Sequence, residues 1–535
     1  MGFRHEAREK FRHRPRDWNR EPLFPSDDEL LSIGARLLNP LEVTRYDGES
    51  PLGTTAYFTD SLLIPLADRK QVMGLAEQDA LSSLGWRLVE DRDFTPVEAM
   101  GPHEQLVGVS RFKLTPISRA EAIERESKVA PVDAWVAVQT LRSLGVERAS
   151  LEHVLVSTTR GHTSGHTEDE DERPVSGRYR SSGGRLPVAY TGPAPARQDH
   201  YPGIRRPVVV VLDTGCGEHQ WLRDGVHTNV EFADGNGALQ TLGFGAAPEP
   251  PDPDGLAGGG EFEGPLDGVI DPFSGHGTFI CGLIRQGCPD ADILVGRIVP
   301  SSGLIRESDL INALAGVVNL IAAGKRVDVV NLSMGYYSET DGSRVGLADT
   351  LSGLLKQDPA LVELLQTLSS AGVAVVCSAG NDATARPMVP AALSQAAGSQ
   401  ANGGQANGGA WPVPITAVGA LNPNRKTVSI RSNTGPWVTT YQPGAHVFST
   451  LPGFNGGYEP TNHTVAFCWP RESVDPDDFT SDAEVGGFGL WNGTSFAAPI
   501  QAALILRGLE KVLLSGEPTP DQVADIVRDT ARPKP

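Results

Sequence analysis

The segment "PVVVVLDTG" (207–215) runs through five consecutive aliphatic residues, Val208 to Leu212, and ends on a carboxylate followed by Thr-Gly. An aliphatic run without polar alternation suits a parallel strand covered on both faces. Three further runs follow it: "ADILVGRIV" (291–299), "VDVVNLSMG" (327–335) and "VAVVCSAGN" (373–381). Between them, Leu310 to Ala323 and Leu361 to Ser370 carry helical spacing. Buried strands alternating with helices predict an α/β fold, a twisted and mostly parallel sheet with helices on both faces. Reactive side chains in such sheets gather beyond the carboxyl ends of the strands.

The unusual polar residues of this chain fall at those ends. Asp213 emerges from the first aliphatic run, half-desolvated and in need of a partner. His276 stands between two glycines in "DPFSGHGTFICGLI" (271–284), ahead of a helical apolar run, so neighbouring backbone can approach its ring closely. Asn381 closes "VAVVCSAGN", where its amide can aim at a developing oxyanion. Ser495 lies in "LWNGTSFAAPIQAAL" (490–504), between the Gly493–Thr494 turn and a small-residue helix. At a first helical turn the hydroxyl and the backbone N–H face one space, which suits a nucleophile. Each residue also has an ordinary reading: Asp and Asn as turn formers, His as a solvated or structural ring, Ser as a helix cap.

Taken in order, "VVLDTG", "GHGTFICG", "AGN" and "GTSFAAP" resemble the motifs of the subtilisin-like serine peptidases, over roughly residues 205 to 531. "NLSMG" (331–335) is similar to the family strand that pairs with substrate backbone, which implicates Ser333, Met334 and Gly335. "VPAAL" (389–393) resembles a segment beside the family's primary specificity pocket, whose depth here depends on Met334, Ala379 and Gly380. The resemblance implies a serine endopeptidase acting on proteins or peptides. Ser495 attacks, His276 moves the proton, Asp213 orients the ring, and Asn381 with the Ser495 N–H meets the oxyanion. No cofactor is implied. Structural calcium is compatible with the family, but no residues here identify a site, and Asp234 and Asp267 read as solvated charge. Phe496 stands where the family usually has Met, a change expected only to repack the surroundings.

Upstream, the period changes. Ser61 to Leu66, Trp86 to Glu90, Leu106 to Leu114 (with a phase slip) and Leu151 to Val156 read as strands. Val72, Leu75, Ala76, Ala80 and Leu84 ahead of Gly85, and Ala134, Val138 and Leu141 ahead of Gly145, mark two helices. The order β-α-β-β-α-β is the ferredoxin-like arrangement, and Pro65 predicts an edge position for its first strand. Four regions result: a basic extension (1–50), a smaller α+β ferredoxin-like domain (51–158), a linker (159–206) with an acidic run at Glu168 to Glu172, and the peptidase-like region (207–535). Two long stretches, "GAAPEPPDPDGLAGGGEFEG" (245–264) and Pro452 to Gly489, read as surface loops. Prodomains of the resembled family commonly have a ferredoxin-like build, so the upstream domain is expected to restrain or assist the peptidase. A partner-recognition role stays open.

The 535 residues suffice for two or three domains, and 39% hydrophobic content fits a globular chain. A net charge of −20 argues against nucleic acid as a partner. No run approaches the ~18 apolar residues of a membrane span, and the basic amino terminus has no apolar core of a secretory signal. Five cysteines without paired metal-ligand spacing suit reduced, mostly buried thiols in a cytoplasm. Oligomeric state is not legible. Two other functions fit the same residues: a catalytically silent peptide-binding scaffold, and an esterase sharing the nucleophile, though "NLSMG" favours extended peptide.

Overall fold

The structure is a computed structural model that describes residues 21–43, 52–101, 105–124, 131–157, 185–190, 192–233, 237–243, 273–300, 303–340, 358–394, 411–453, 463–466, 469–472, 480–481 and 485–532. The basic residues 1–20, the acidic run, Asp234, Asp267, the 245–264 stretch and Cys468 lie outside them.

The amino-terminal part is built from β1 (Ala56–Pro65), α1 (Arg69–Glu77), β2 (Trp86–Glu90), β3 (Val109–Pro116), α2 (Ala134–Ser143) and β4 (Ser150–Ser157). These strands pair antiparallel in the order β4-β1-β3-β2, which is the split βαβ order. Val72 of α1 and Trp135, Val138 and Leu141 of α2 cover one sheet face, against Leu62, Ile64, Phe112 and Leu151. Asp133 starts α2 by accepting the Trp135 N–H at 3.1 Å. Pro65 does not mark an edge: β1 lies between β3 and β4. Proline is tolerated because it is the strand's last residue, opposite Val109, where the ladder ends. The phase slip also has a cause, for Leu106–Val107 pairs with Ala99–Met100 and only Val109 onward belongs to β3.

Downstream come β5 (Val208–Asp213), α3 (His276–Gly287), β6 (Asp292–Arg297), β7 (Leu304–Arg306), α4 (Glu307–Ala322), β8 (Val329–Leu332), β9 (Met334–Gly335), α5 (Pro359–Ser370), β10 (Ala374–Ser378), β11 (Thr416–Leu421), β12 (Thr440–Pro443), α6 (Thr494–Leu513) and α7 (Pro520–Thr530). The main sheet has seven strands, all parallel: Val226–His227, then β6-β5-β8-β10-β11-β12. Strand side chains alternate, so the aliphatic run of β5 serves two cores at once. Val210 and Leu212 pack with α4 and α5, while Val209 and Val211 pack with α3 and α6. The sheet is therefore apolar on both faces, as its uninterrupted sequence requires.

Leu63 of β1 and Leu155 of β4 belong to the same buried cluster as α4, so the two parts share a core. The second half of the expected linker is tied down. Arg205 reaches Asp328 at 2.7 Å and Glu517 at 2.8 Å, and Gln198 reaches Asp290 at 3.0 Å. Arg185 is buried, and Leu186 pairs with Leu490. Low apolar content misled the reading of these residues, because arginines and carboxylates hold them in place of a hydrophobic stripe. Among the described residues, Cys216, Cys281, Cys288 and Cys377 are buried and in no disulfide, and no helix is long and apolar enough to cross a membrane.

Candidate active site

Asp213 ends β5 fully buried. Its Oδ1 accepts the Thr214 N–H at 2.8 Å and lies 2.6 Å from His276 Nδ1. His276 begins α3, preceded by Gly275 in the left-handed conformation (φ 81°), which turns the chain sharply into the helix. The Gly277 N–H donates to Thr214 Oγ1 at 2.9 Å, so the Asp and His motifs are tied by backbone as well as side chain. The carboxylate faces Nδ1, and Nε2 is the ring nitrogen directed away from it. That Nε2 is buried and makes no hydrogen bond among the described residues. Three rings fix the imidazole: Trp491 at 5.6 Å, Phe496 at 5.3 Å and Phe273 at 6.2 Å between centres.

Ser495 is the second residue of α6 and is fully buried. It precedes Phe496, which packs on the His276 ring, so the α6 and α3 starts converge. Pro499 lies inside α6 and has no N–H, which deprives the Ser495 carbonyl of its helical donor. The Ser333 hydroxyl supplies one instead, at 3.0 Å, and Asn331 Nδ2 donates to Ser333 at 3.2 Å. A proline that costs the helix one bond thereby docks the serine onto β8 and β9.

Asn381 follows β10, and its Oδ1 accepts the Thr494 N–H at 2.9 Å. With Oδ1 so engaged, Nδ2 is the donor end of the amide. Gly380 (φ 100°) donates its N–H to Thr494 Oγ1 at 3.1 Å, and a Cβ there would meet Asn433 Nδ2 at 2.3 Å. Asn433 braces the loop: Nδ2 donates to the Ala379 carbonyl at 2.9 Å and Oδ1 accepts from Asp382 at 2.9 Å. Sequence reasoning passed over Thr214, Thr494 and Asn433. The two threonines sit inside the motifs and were visible there, whereas Asn433 is distant in sequence and carries no local signal.

Residues 205–535 match the family described as Subtilase family, peptidase S8. The chain belongs to the subtilases. The Major intracellular serine protease of Bacillus subtilis (strain 168) is 23% identical over 261 residues, 46% of this chain and 60% of that protein. The chain thus spans less than two thirds of that curated relative's length. Two solved structures are similar: a lanthipeptide protease (19% identity, 61% of this chain and 80% of that one, TM-score 0.38) and fervidolysin from Fervidobacterium pennivorans, a keratinolytic enzyme related to subtilisin (15%, 85% and 55%, TM-score 0.44).

In this subtilase the strand expected to receive substrate is already paired. β4 lies between β7 and β9, antiparallel to both, with Met334 opposite Ser157 and Gly335 opposite Val156. The Ser157 N–H donates to the Gly303 carbonyl at 3.1 Å. β4 therefore runs toward Ser333, the residue bonded to Ser495. Beside Asn381, a cavity is lined by Val156, Ser157, Gly335, Tyr336 and Met388.

Buried charge accompanies this pairing. Glu152 of β4 accepts from Arg306 at 2.7 Å and from Ser308 at 2.5 Å. On the opposite strand face, His153 Nδ1 lies 2.7 Å from Glu307 and Nε2 lies 3.0 Å from Glu339. Burial alone would lower the His153 pKa, but Glu307 and then Glu339 raise it well above the ordinary value. Burial, then Glu307, raises that of Asp358. Consecutive residues Arg306 and Glu307 thus meet consecutive residues Glu152 and His153 with opposite charge. Slipping the register by one residue would bury like charges together. His153, Glu307 and Asp358 are spaced closely enough to hold a cation. Both ring nitrogens already face carboxylates, however, and this suits an imidazolium better than a metal ligand, which needs a free lone pair.

Proposed function

We propose that this subtilase is a serine endopeptidase in which Ser495 is the nucleophile, His276 its base and then acid, and Asp213 the residue that fixes the ring. Its substrates are proteins or peptides. The observation that carries the reading is the 2.6 Å contact of His276 Nδ1 with Asp213, which leaves Nε2 on the far side of a ring against which Phe496, the neighbour of Ser495, packs. As Ser495 Oγ attacks the peptide carbonyl, its proton passes to His276 Nε2, and the imidazolium is stabilised by Asp213. The oxyanion is met by Asn381 Nδ2 and the Ser495 N–H, in the first turn of α6 where the helix dipole favours negative charge. The proton then goes from Nε2 to the leaving amine, and water repeats the sequence on the acyl-enzyme. Apart from that water, every group in these steps is a side chain or backbone N–H of this chain.

In the same reading the amino-terminal domain restrains the enzyme. Support comes from β4, which takes an extended peptide's place against β7 and β9. The buried cysteines outside any disulfide and the name of the Bacillus relative favour action in the cytoplasm. A fluorophosphonate probe tests the chemistry: covalent labelling at Ser495, lost in His276→Ala, is expected. A folded protein that takes up no label would instead be the silent scaffold.

A further inference from the structure

The pocket that receives His153 carries an inference of its own, resting on the peptidase reading above. Its walls all come from the peptidase part: Glu307, Glu339 and Asp358, each at most 4% exposed, with the Tyr336 ring stacked on the imidazole at 4.4 Å and 20°. Three carboxyl groups buried beside one another are costly to maintain without a cation. Asp358 Oδ1 lies 4.0 Å from His153 Nδ1 and has no hydrogen bond among the described residues, so it too is directed at the occupant without being satisfied by it. The nearby cations are engaged elsewhere, Arg306 and Arg111 with Glu152.

The occupant belongs to β4, the strand lying where substrate would pair. When β4 leaves, the pocket remains with the peptidase. We infer that Glu307, Glu339, Asp358 and Tyr336 form an extended subsite for a planar cationic side chain, histidinium or arginine, four positions before the substrate residue that lies opposite Met334. Planarity is demanded by the Tyr336 face, and two donors by the carboxylates of Glu307 and Glu339 on either side. Arginine meets both requirements with a fixed charge.

The test uses the full chain and internally quenched peptides spanning the sequence of residues 151–160, "LEHVLVSTTR", with the third residue kept as His or changed to Arg, Leu or Glu. Ratios of kcat/KM within the series do not depend on how much enzyme is free of its own β4. The His and Arg peptides are expected to exceed the Leu peptide by at least about tenfold, with Glu slowest. In Glu339→Gln and Glu307→Gln the His-to-Leu ratio is expected to fall toward one. Equal kcat/KM across the series overturns the subsite and leaves the peptidase reading standing. Failure to cut any of the peptides overturns the subsite too, and fluorophosphonate labelling of Ser495 then says whether the peptidase reading falls with it.

Discussion

Ser495→Ala is expected to lower peptide hydrolysis by about six orders of magnitude in kcat, while Asn381→Ala lowers it by only about 10²–10³. The contrast follows from what each atom supplies. Without Oγ no acyl-enzyme forms, and His276 has no proton to move. Without Asn381 Nδ2 the oxyanion keeps one donor, the Ser495 N–H. Asn381 also holds the Thr494 N–H at 2.9 Å, so its loss loosens the turn ahead of the nucleophile, which raises the penalty within that range but not beyond it. Steady-state hydrolysis of one fluorogenic peptide by both variants checks this. Equal residual rates in the two would contradict the division of roles.

Asp213→Asn is expected to lower kcat by about 10⁴ with little change in KM. Oδ1 accepts the Thr214 N–H at 2.8 Å and lies 2.6 Å from His276 Nδ1, so the substituted amide, close in size, presents a single group to both. An amide oxygen in that place lacks the charge that stabilises the imidazolium, and an NH₂ there cannot accept from Nδ1, which drives the ring to the tautomer with its proton on Nε2. With its proton on Nε2 the ring cannot act as a base toward the Ser495 hydroxyl. A KM that rises in step with the fall in kcat/KM, at unchanged kcat, would show instead that Asp213 serves substrate binding.

Much of this was legible in the chain, for reasons that particular residues make plain. Val208 to Leu212 reads as a strand because both faces are buried, and Asp213 reads as a site because a carboxylate ending such a strand needs a partner. Gly275 announces the sharp turn into α3, and Pro499 the missing N–H inside α6. What could not be read depends on distant pairs. Pro65 looked like an edge marker until its position at the end of β1 was known, and the arginines after Arg185 looked like linker until Asp290, Asp328 and Glu517 were brought beside them. His153 shows the same limit from the other side. A Glu-His pair inside an aliphatic strand signals buried charge, but its partners Glu307, Glu339 and Asp358 lie more than 150 residues away.

β4 pairs with β9, the strand expected to receive substrate, and runs toward Ser333, which is hydrogen-bonded to Ser495. Intact-mass and peptide-mapping spectrometry of the purified full chain, wild type beside Ser495→Ala, tests that most directly. The account predicts a cut between Ser157 and Arg185 in the wild type, and an uncut Ser495→Ala chain of 56.9 kDa. A wild-type chain that stays whole while hydrolysing added peptide, or the same cut in both proteins, would contradict it.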